Sequence, residues 1–185
     1  MLLTTLLTTL LVPIVRATTI VATGKRVLLL LKAVSTVRGF GTRFPKSAIV
    51  VSVVHKAGLH SSELCGKEVQ RAINVVGKRK LRGRVVRATS LAYSSSLAVD
   101  IASQKADIVY VCDGLRADIP NIAAIAKKRS LLTLATRPDD VRAGLALGVE
   151  RQSSGTAKFI VHLAAIKDQG AKFPIELLQL AYVVR

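Results

Sequence analysis

"ADIVYVCDG", residues 106–114, is the stretch on which the fold turns. Five apolar residues run without a break from Ile108 to Cys112, and three of them are β-branched. Asp107 stands before them and Asp113-Gly114 after them. A run this short, bounded by turn residues, reads as a strand covered on both faces, as in a parallel sheet.

Working outward, "SAIVVSVVH" (47–55), "RVVRAT" (84–89) and "LLTLAT" (131–136) are runs of the same kind. Between them lie segments with helical spacing. "SSELCGKEVQRAINVV" (61–76) has Ser61 or Ser62 as its expected N-cap. "SSSLAVDIASQ" (94–104) follows, and "IPNIAAIAKKR" (119–129) carries Pro120 in its first turn. Ahead of the first strand, residues 18–38 read as a helix with Val27, Leu28, Leu31, Val34 and Val37 on one side, ended by Gly39 and Gly41. Strands alternating with helices predict right-handed crossovers and a mostly parallel sheet with helices on both faces.

After Thr136 the pattern changes. "RPDDVRAG" (137–144) is a turn or a single helical turn, and "LALGVE" and "AKFIVHL" read as a hairpin joined by "RQSSG". The chain then passes through "LAAIKDQG", where Gly170 permits a left-handed cap, to a helix begun by Pro174. In that helix Leu177, Leu178, Ala181 and Val184 would face the sheet. The expected fold is therefore one α/β domain: a mostly parallel sheet of about six strands with a C-terminal antiparallel hairpin.

Composition agrees with such a core. Half of the 185 residues are apolar, yet there are only three Tyr, four Phe and no Trp, so Val, Leu, Ile and Ala must fill the interior. The formal net charge is +17, from 28 Lys and Arg against 11 Asp and Glu. Charge on that scale attracts polyanions or acidic partners and says nothing about fold. Its densest run is "GKRKLRGRVVR" (77–87), with Lys78, Lys80 and Arg82 among six cations. Two readings stand for it, a solvated turn and a phosphate-binding or partner-binding patch.

Residues 1–17 read as an export signal, with an apolar stretch from Leu2 to Val15 too short to span a bilayer and small residues placed for cleavage before Thr18. The positive charge that usually precedes such a stretch is missing, which leaves an uncleaved anchor, a misassigned start or an apolar first helix as alternatives. Residues 18–185 then form the folded domain, and the expected location is the periplasm.

Catalytic signatures are scarce. The chain has His55, His60 and His162, and it contains no G-x-S-x-G, HExxH or CxxC and no phosphate loop after a strand. An enzyme of the flavodoxin-like type would need a site that these residues do not form, and no cofactor is expected. The one cluster is topological. If the third strand lies beside the first, His55, His60, Ser61, Ser62, Cys112 and Asp113 come together at the carboxyl ends, where open α/β sheets bind ligands. An anion at the helix start, a metal held by His, Cys and Asp, and ordinary loop residues are all compatible with that placement. Cys65 and Cys112 fall toward the same edge and form either a disulfide or two buried thiols. His162, at the end of a strand, is a titrating group or a hydrogen-bonded structural residue.

Several of these segments together carry a resemblance. "LRGRVVRAT", "ADIVYVCDG", "LLTLATRPDD" and the closing "GLALGVERQSSGTAKFIVHLAAIKDQGAKFPIELLQLAYVV" resemble the YfiR-like family of small exported bacterial proteins over residues 18 to 184. The resemblance implies a periplasmic, non-enzymatic regulator that binds and inhibits the periplasmic sensor domain of a membrane-bound diguanylate cyclase, and so acts in cyclic-di-GMP signalling. Implied partners are such a membrane-bound sensor, a cyclase or a histidine kinase, with a homodimer as a further assembly. The chain departs from the family at His162, where Asn is usual, and in its basicity. The runner-up is a basic cytosolic nucleic-acid-binding protein, which the charge supports and the near absence of stacking aromatics opposes.

Overall fold

The computed structural model describes residues 23–78 and 80–185. The expected export signal, its cleavage point and Arg79 lie outside the described residues. Helix α1 spans Thr23–Ser35 and the short α2 Phe40–Arg43. Then follow β1 (Ala48–His55), α3 (His60–Gly77), β2 (Val85–Ala92), α4 (Leu97–Ser103) and β3 (Ile108–Val111). A 3-10 turn leads into α5 (Ile119–Lys128), β4 (Leu132–Ala135) and α6 (Pro138–Arg142). The chain closes with β5 (Leu147–Arg151), β6 (Ala157–His162), α7 (Leu163–Asp168), α8 (Ile175–Gln179) and β7 (Ala181–Val184).

The strands form one sheet in the order β2-β1-β3-β4-β5-β6-β7. All adjacent pairs run parallel except β5 with β6, the expected hairpin. Strand β3 sits beside β1, in register Val51 to Ile108 through Val54 to Val111. All four residues of β3 and all four of β4 are buried, as a strand covered on both faces requires. Apolar side chains gather into two clusters, one per sheet face. The first is built around Leu30, Val34, Phe44, Ile49, Ile73 and Tyr110, the second around Leu97, Val111, Leu115, Ile119 and Ile122.

Four local expectations are corrected. Ala181 and Val184 belong to β7 rather than to the last helix, which brings the sheet to seven strands. Helix α8 lasts five residues, after which "AYVV" pairs in parallel with β6. Two valines and a tyrosine fit a pleated, half-buried edge better than a helix end. The first helix buries Leu30 in place of Leu28, which is 39% exposed. Helix α1 ends at Ser35, ahead of Gly39, which with φ of 67° is instead the left-handed entry to α2. Helix α3 starts at His60 with Leu59 as N-cap and no side-chain cap, because Ser62 is engaged elsewhere.

Candidate functional site

Two loops meet at the carboxyl ends of β1 and β3. Ser62 Oγ accepts from the Lys56 N–H at 2.9 Å and donates to the Asp113 carbonyl at 2.6 Å, so the serine expected to cap α3 fastens these loops together. Gly114, with φ of 84°, lets the contact close, since a Cβ there would fall 2.3 Å from Leu59 Cδ2. Just inside this junction Cys65 Sγ lies 2.7 Å from Cys112 Sγ and 3.5 Å from Thr136 Oγ1, which in turn donates to the Tyr110 hydroxyl at 3.3 Å.

The chemistry of these groups follows from burial. Hydrogen bonding from Cys112 pulls the Cys65 thiol down, the largest of several opposing influences on it. The same bond and burial push the Cys112 thiol up, which makes Cys65 the sulfur that ionises first. Burial raises the Tyr110 phenol to about 12, against the lowering influence of Arg26, so Tyr110 is a neutral hydrogen-bonding group here.

Outside the cysteine pair opens a cleft of about 670 Å³. One wall is α1 and α3, with Arg26, Ser61, Cys65 and Glu68; the other is α6 and the hairpin, with Arg137, Arg142 and Glu150. Arg26 is only 5% exposed, a cation embedded in an otherwise apolar helix face. Arg142 Nη2 donates to both Glu150 carboxylate oxygens at 3.0 and 3.1 Å and Nη1 to Asp139 at 2.9 Å, which holds its pKa above the usual value. The cleft has mixed charge with apolar residues such as Leu64 and Val149 among its lining, an arrangement suited to binding a small polar ligand or a partner segment.

Of the residues expected here, Ser61, Cys65 and Asp113 line the cleft and Ser62 supports it. His55 is drawn away to Ser90, Nδ1 to Oγ at 3.0 Å, and His60 stands exposed at the first turn of α3. No three metal-ligating side chains among the described residues come together. Lys78, Lys80 and Arg82 lie beyond the far end of α3. Arg82 donates to the Ser35 carbonyl at 3.1 Å and stacks 5.2 Å from the Phe40 ring centroid, so part of the basic run is fastened to α1 and α2. His162 accepts from the Ala165 N–H at 3.3 Å and caps α7, the hydrogen-bonded reading of that residue. Arg26, Thr136 and Arg142 were not singled out from sequence. A cation in the middle of an apolar helical stripe, and the residue closing the fourth strand, were the available signals.

No helix among the described residues is long and apolar enough to cross a membrane. The architecture defines a class, the single α/β domain with a 2-1-3-4 parallel core and an antiparallel extension. It is similar to the ABC domain in complex with L-Trp from Streptococcus pneumonia (TM-score 0.61, 12% identity, 88% of this chain and 60% of that chain). It is also similar to the ligand-free, open CD0873, a substrate binding protein with adhesive properties from Clostridium difficile (0.62, 15%, 89% and 60%). A conserved domain protein from Vibrio cholerae aligns at 0.62 and 12%, with 89% and 60% covered. The chain thus spans about 60% of the length of these structures, and the likeness concerns fold alone. A comparison with curated proteins gives no match. The match that identifies the chain spans residues 46–182: it belongs to the YfiR/HmsC-like family, DUF4154.

Proposed function

We propose that the protein acts in the periplasm by binding the sensor domain of a membrane-bound signalling protein, a diguanylate cyclase, and holding that enzyme inactive. The family match over residues 46–182 carries this reading. Two physical features support it. A net charge of +17 steers association with an acidic domain surface. The cleft beside Cys65 offers a place where a small ligand can bias the affinity for the partner.

The reading is tested by measuring cyclic-di-GMP in cells that lack or overproduce the protein, and by binding of the purified chain to the isolated sensor domain at two salt concentrations. Loss of the protein is expected to raise cyclic-di-GMP. The association rate is expected to fall as the Debye length shrinks from about 10 Å to about 3 Å. Lys78→Glu with Lys80→Glu, two exposed positions, slows association if the basic run is the contact. Unchanged cyclic-di-GMP together with no binding to any periplasmic sensor domain would overturn the proposal.

A further inference from the structure

The end of the sheet opposite the cysteine cleft carries a second cavity, of about 710 Å³. Four separate segments wall it: the turn from α1 into α2, residues 106–107 before β3, residues 129–131 before β4, and the chain around Gly170 and Lys172 after α7. Arg38, Arg43, Arg129 and Lys172 stand on it against one carboxylate, Asp107. That carboxylate is already engaged, by Lys46 Nζ at 3.2 Å and by the Val50 N–H at 2.9 Å. None of the ion pairs among the described residues uses the four cations.

Arg43 is the most tightly placed of them. Its Nη2 donates to the Ser130 carbonyl at 3.1 Å, and its guanidinium carbon lies 5.6 Å from the Phe44 ring centroid. Its Nη1 faces Gly170, where an added Cβ would stand 3.6 Å away. The buried Nε has no hydrogen-bond partner among the described residues, and burial pulls the pKa of the group below its usual value. A partly buried guanidinium without an ion-pair partner is unfavourable for the folded chain, and an anion in the cavity would offset its charge. Convergence of three arginines and a lysine also favours a group with more than one negative charge and a geometry that forked donors match.

We propose that this cavity is a binding site for a small phosphate-bearing anion, held by Arg43 from one wall and by Arg129 and Lys172 from the others. The carbonyl ends of α5 and α7 approach the same space, and a purely structural role for the cations, neutralising those helix ends, predicts a different result. It predicts lost stability in the variants and no saturable binding.

Inorganic pyrophosphate titrated into the full chain by calorimetry is the first test, with one saturable site expected. Arg43→Gln is expected to weaken binding about tenfold, the scale of one charge-assisted hydrogen bond. Because Arg43 is partly buried, Arg129→Gln with Lys172→Gln, both exposed, serves as the second variant and is expected to weaken binding without lowering the melting temperature. Lys67→Gln with Arg71→Gln, exposed on α3, removes the same charge elsewhere and is expected to leave the affinity unchanged. Vesicles containing phosphatidylglycerol distinguish the source of the phosphate: binding that pyrophosphate competes away and that the Arg43 variant loses assigns the site to a lipid headgroup, and its absence assigns it to a soluble phosphate. No saturable pyrophosphate binding, or equal weakening in the α3 control, overturns the proposal.

Discussion

Cys65 Sγ, in the second turn of α3, lies 2.7 Å from Cys112 Sγ, the first residue after β3. The two sulfurs face each other, Cys65 on the wall of the cleft and Cys112 buried behind it, and both residues carry free thiols in this structure. Parallel placement of β3 beside β1 brings about this meeting, since α3 begins just past the carboxyl end of β1, next to the end of β3.

A bridge between these cysteines closes a loop of 47 residues. Chain-entropy arguments give such a bridge about 4 kcal/mol of stability. We expect protein recovered from an oxidising compartment to be two hydrogens lighter than the reduced chain, and to melt at a lower temperature once reductant is added. Identical masses and identical melting with and without reductant would remove the bridge.

Gly77 closes α3 where an added Cβ would sit 2.0 Å from the Val86 carbonyl oxygen. Alanine normally favours a helix over glycine by about 1 kcal/mol. Here Gly77→Ala is expected to destabilise by about 3 kcal/mol instead, because backbone must move off backbone. Gly66, whose nearest neighbours are the side chains of Ser90 and His55 at 3.0 and 3.2 Å, provides the comparison. Gly66→Ala should cost much less, as measured by urea unfolding, and an equal loss at both positions contradicts the account.

Val111 is fully buried in a strand enclosed on both sides. Val111→Asp places an unpaired carboxylate there and is expected to cost several kcal/mol. A wild-type melting temperature for this variant would show that β3 is not central to the core.

His162 holds the first turn of α7 through its ring nitrogen. Removing the acceptor in His162→Ala should lose about 1 kcal/mol, the usual worth of an N-cap, whereas His162→Asn should keep most of it. Equal losses in the two variants would assign His162 a role other than capping.

Asp140 is 2% exposed, and burial raises its pKa from 3.8, opposed by Arg116 at 3.8 Å. The folded chain therefore holds this proton more tightly than the unfolded chain, and the contribution is favourable at low pH and declines as pH rises through the folded-state value. Asp140→Asn should match the wild type in acid and equal or exceed it in stability at neutral pH. Denaturant melts at pH 3 and pH 7 check the sign, and a variant weaker only at pH 7 refutes it.

Much of the fold was legible because parallel strands buried on both faces need continuous apolar runs, and β1, β3 and β4 have them. The end of the chain was less so. In "LLQLAYVV" the leucines keep helical spacing up to the residue where pairing with β6 takes over, and that pairing is a tertiary fact. At the site, Ser62, Cys65 and Asp113 followed from topology, since each adjoins a strand end. His55 and His60 did not join them, because β1's last side chain turns toward Ser90 on the neighbouring strand. The cations of the second cavity come from positions 38, 43, 129 and 172, and no local pattern in sequence connects them.

Between β4 and β5 the ladder consists of a single residue pair, Leu134 with Leu147. Gln169, 1% exposed, stands in for the missing backbone: its Oε1 accepts the Thr133 N–H at 2.8 Å, its Nε2 donates to Thr133 Oγ1 at 3.0 Å, and that hydroxyl also accepts the Ala146 N–H at 2.7 Å. One side-chain amide from the turn after α7 thus splices two leaves of the sheet, β2-β1-β3-β4 and β5-β6-β7. Sub-global opening follows the thinnest ladder, so amide hydrogens along this seam exchange before those of β1 and β3, and the two leaves can part while each remains paired within itself.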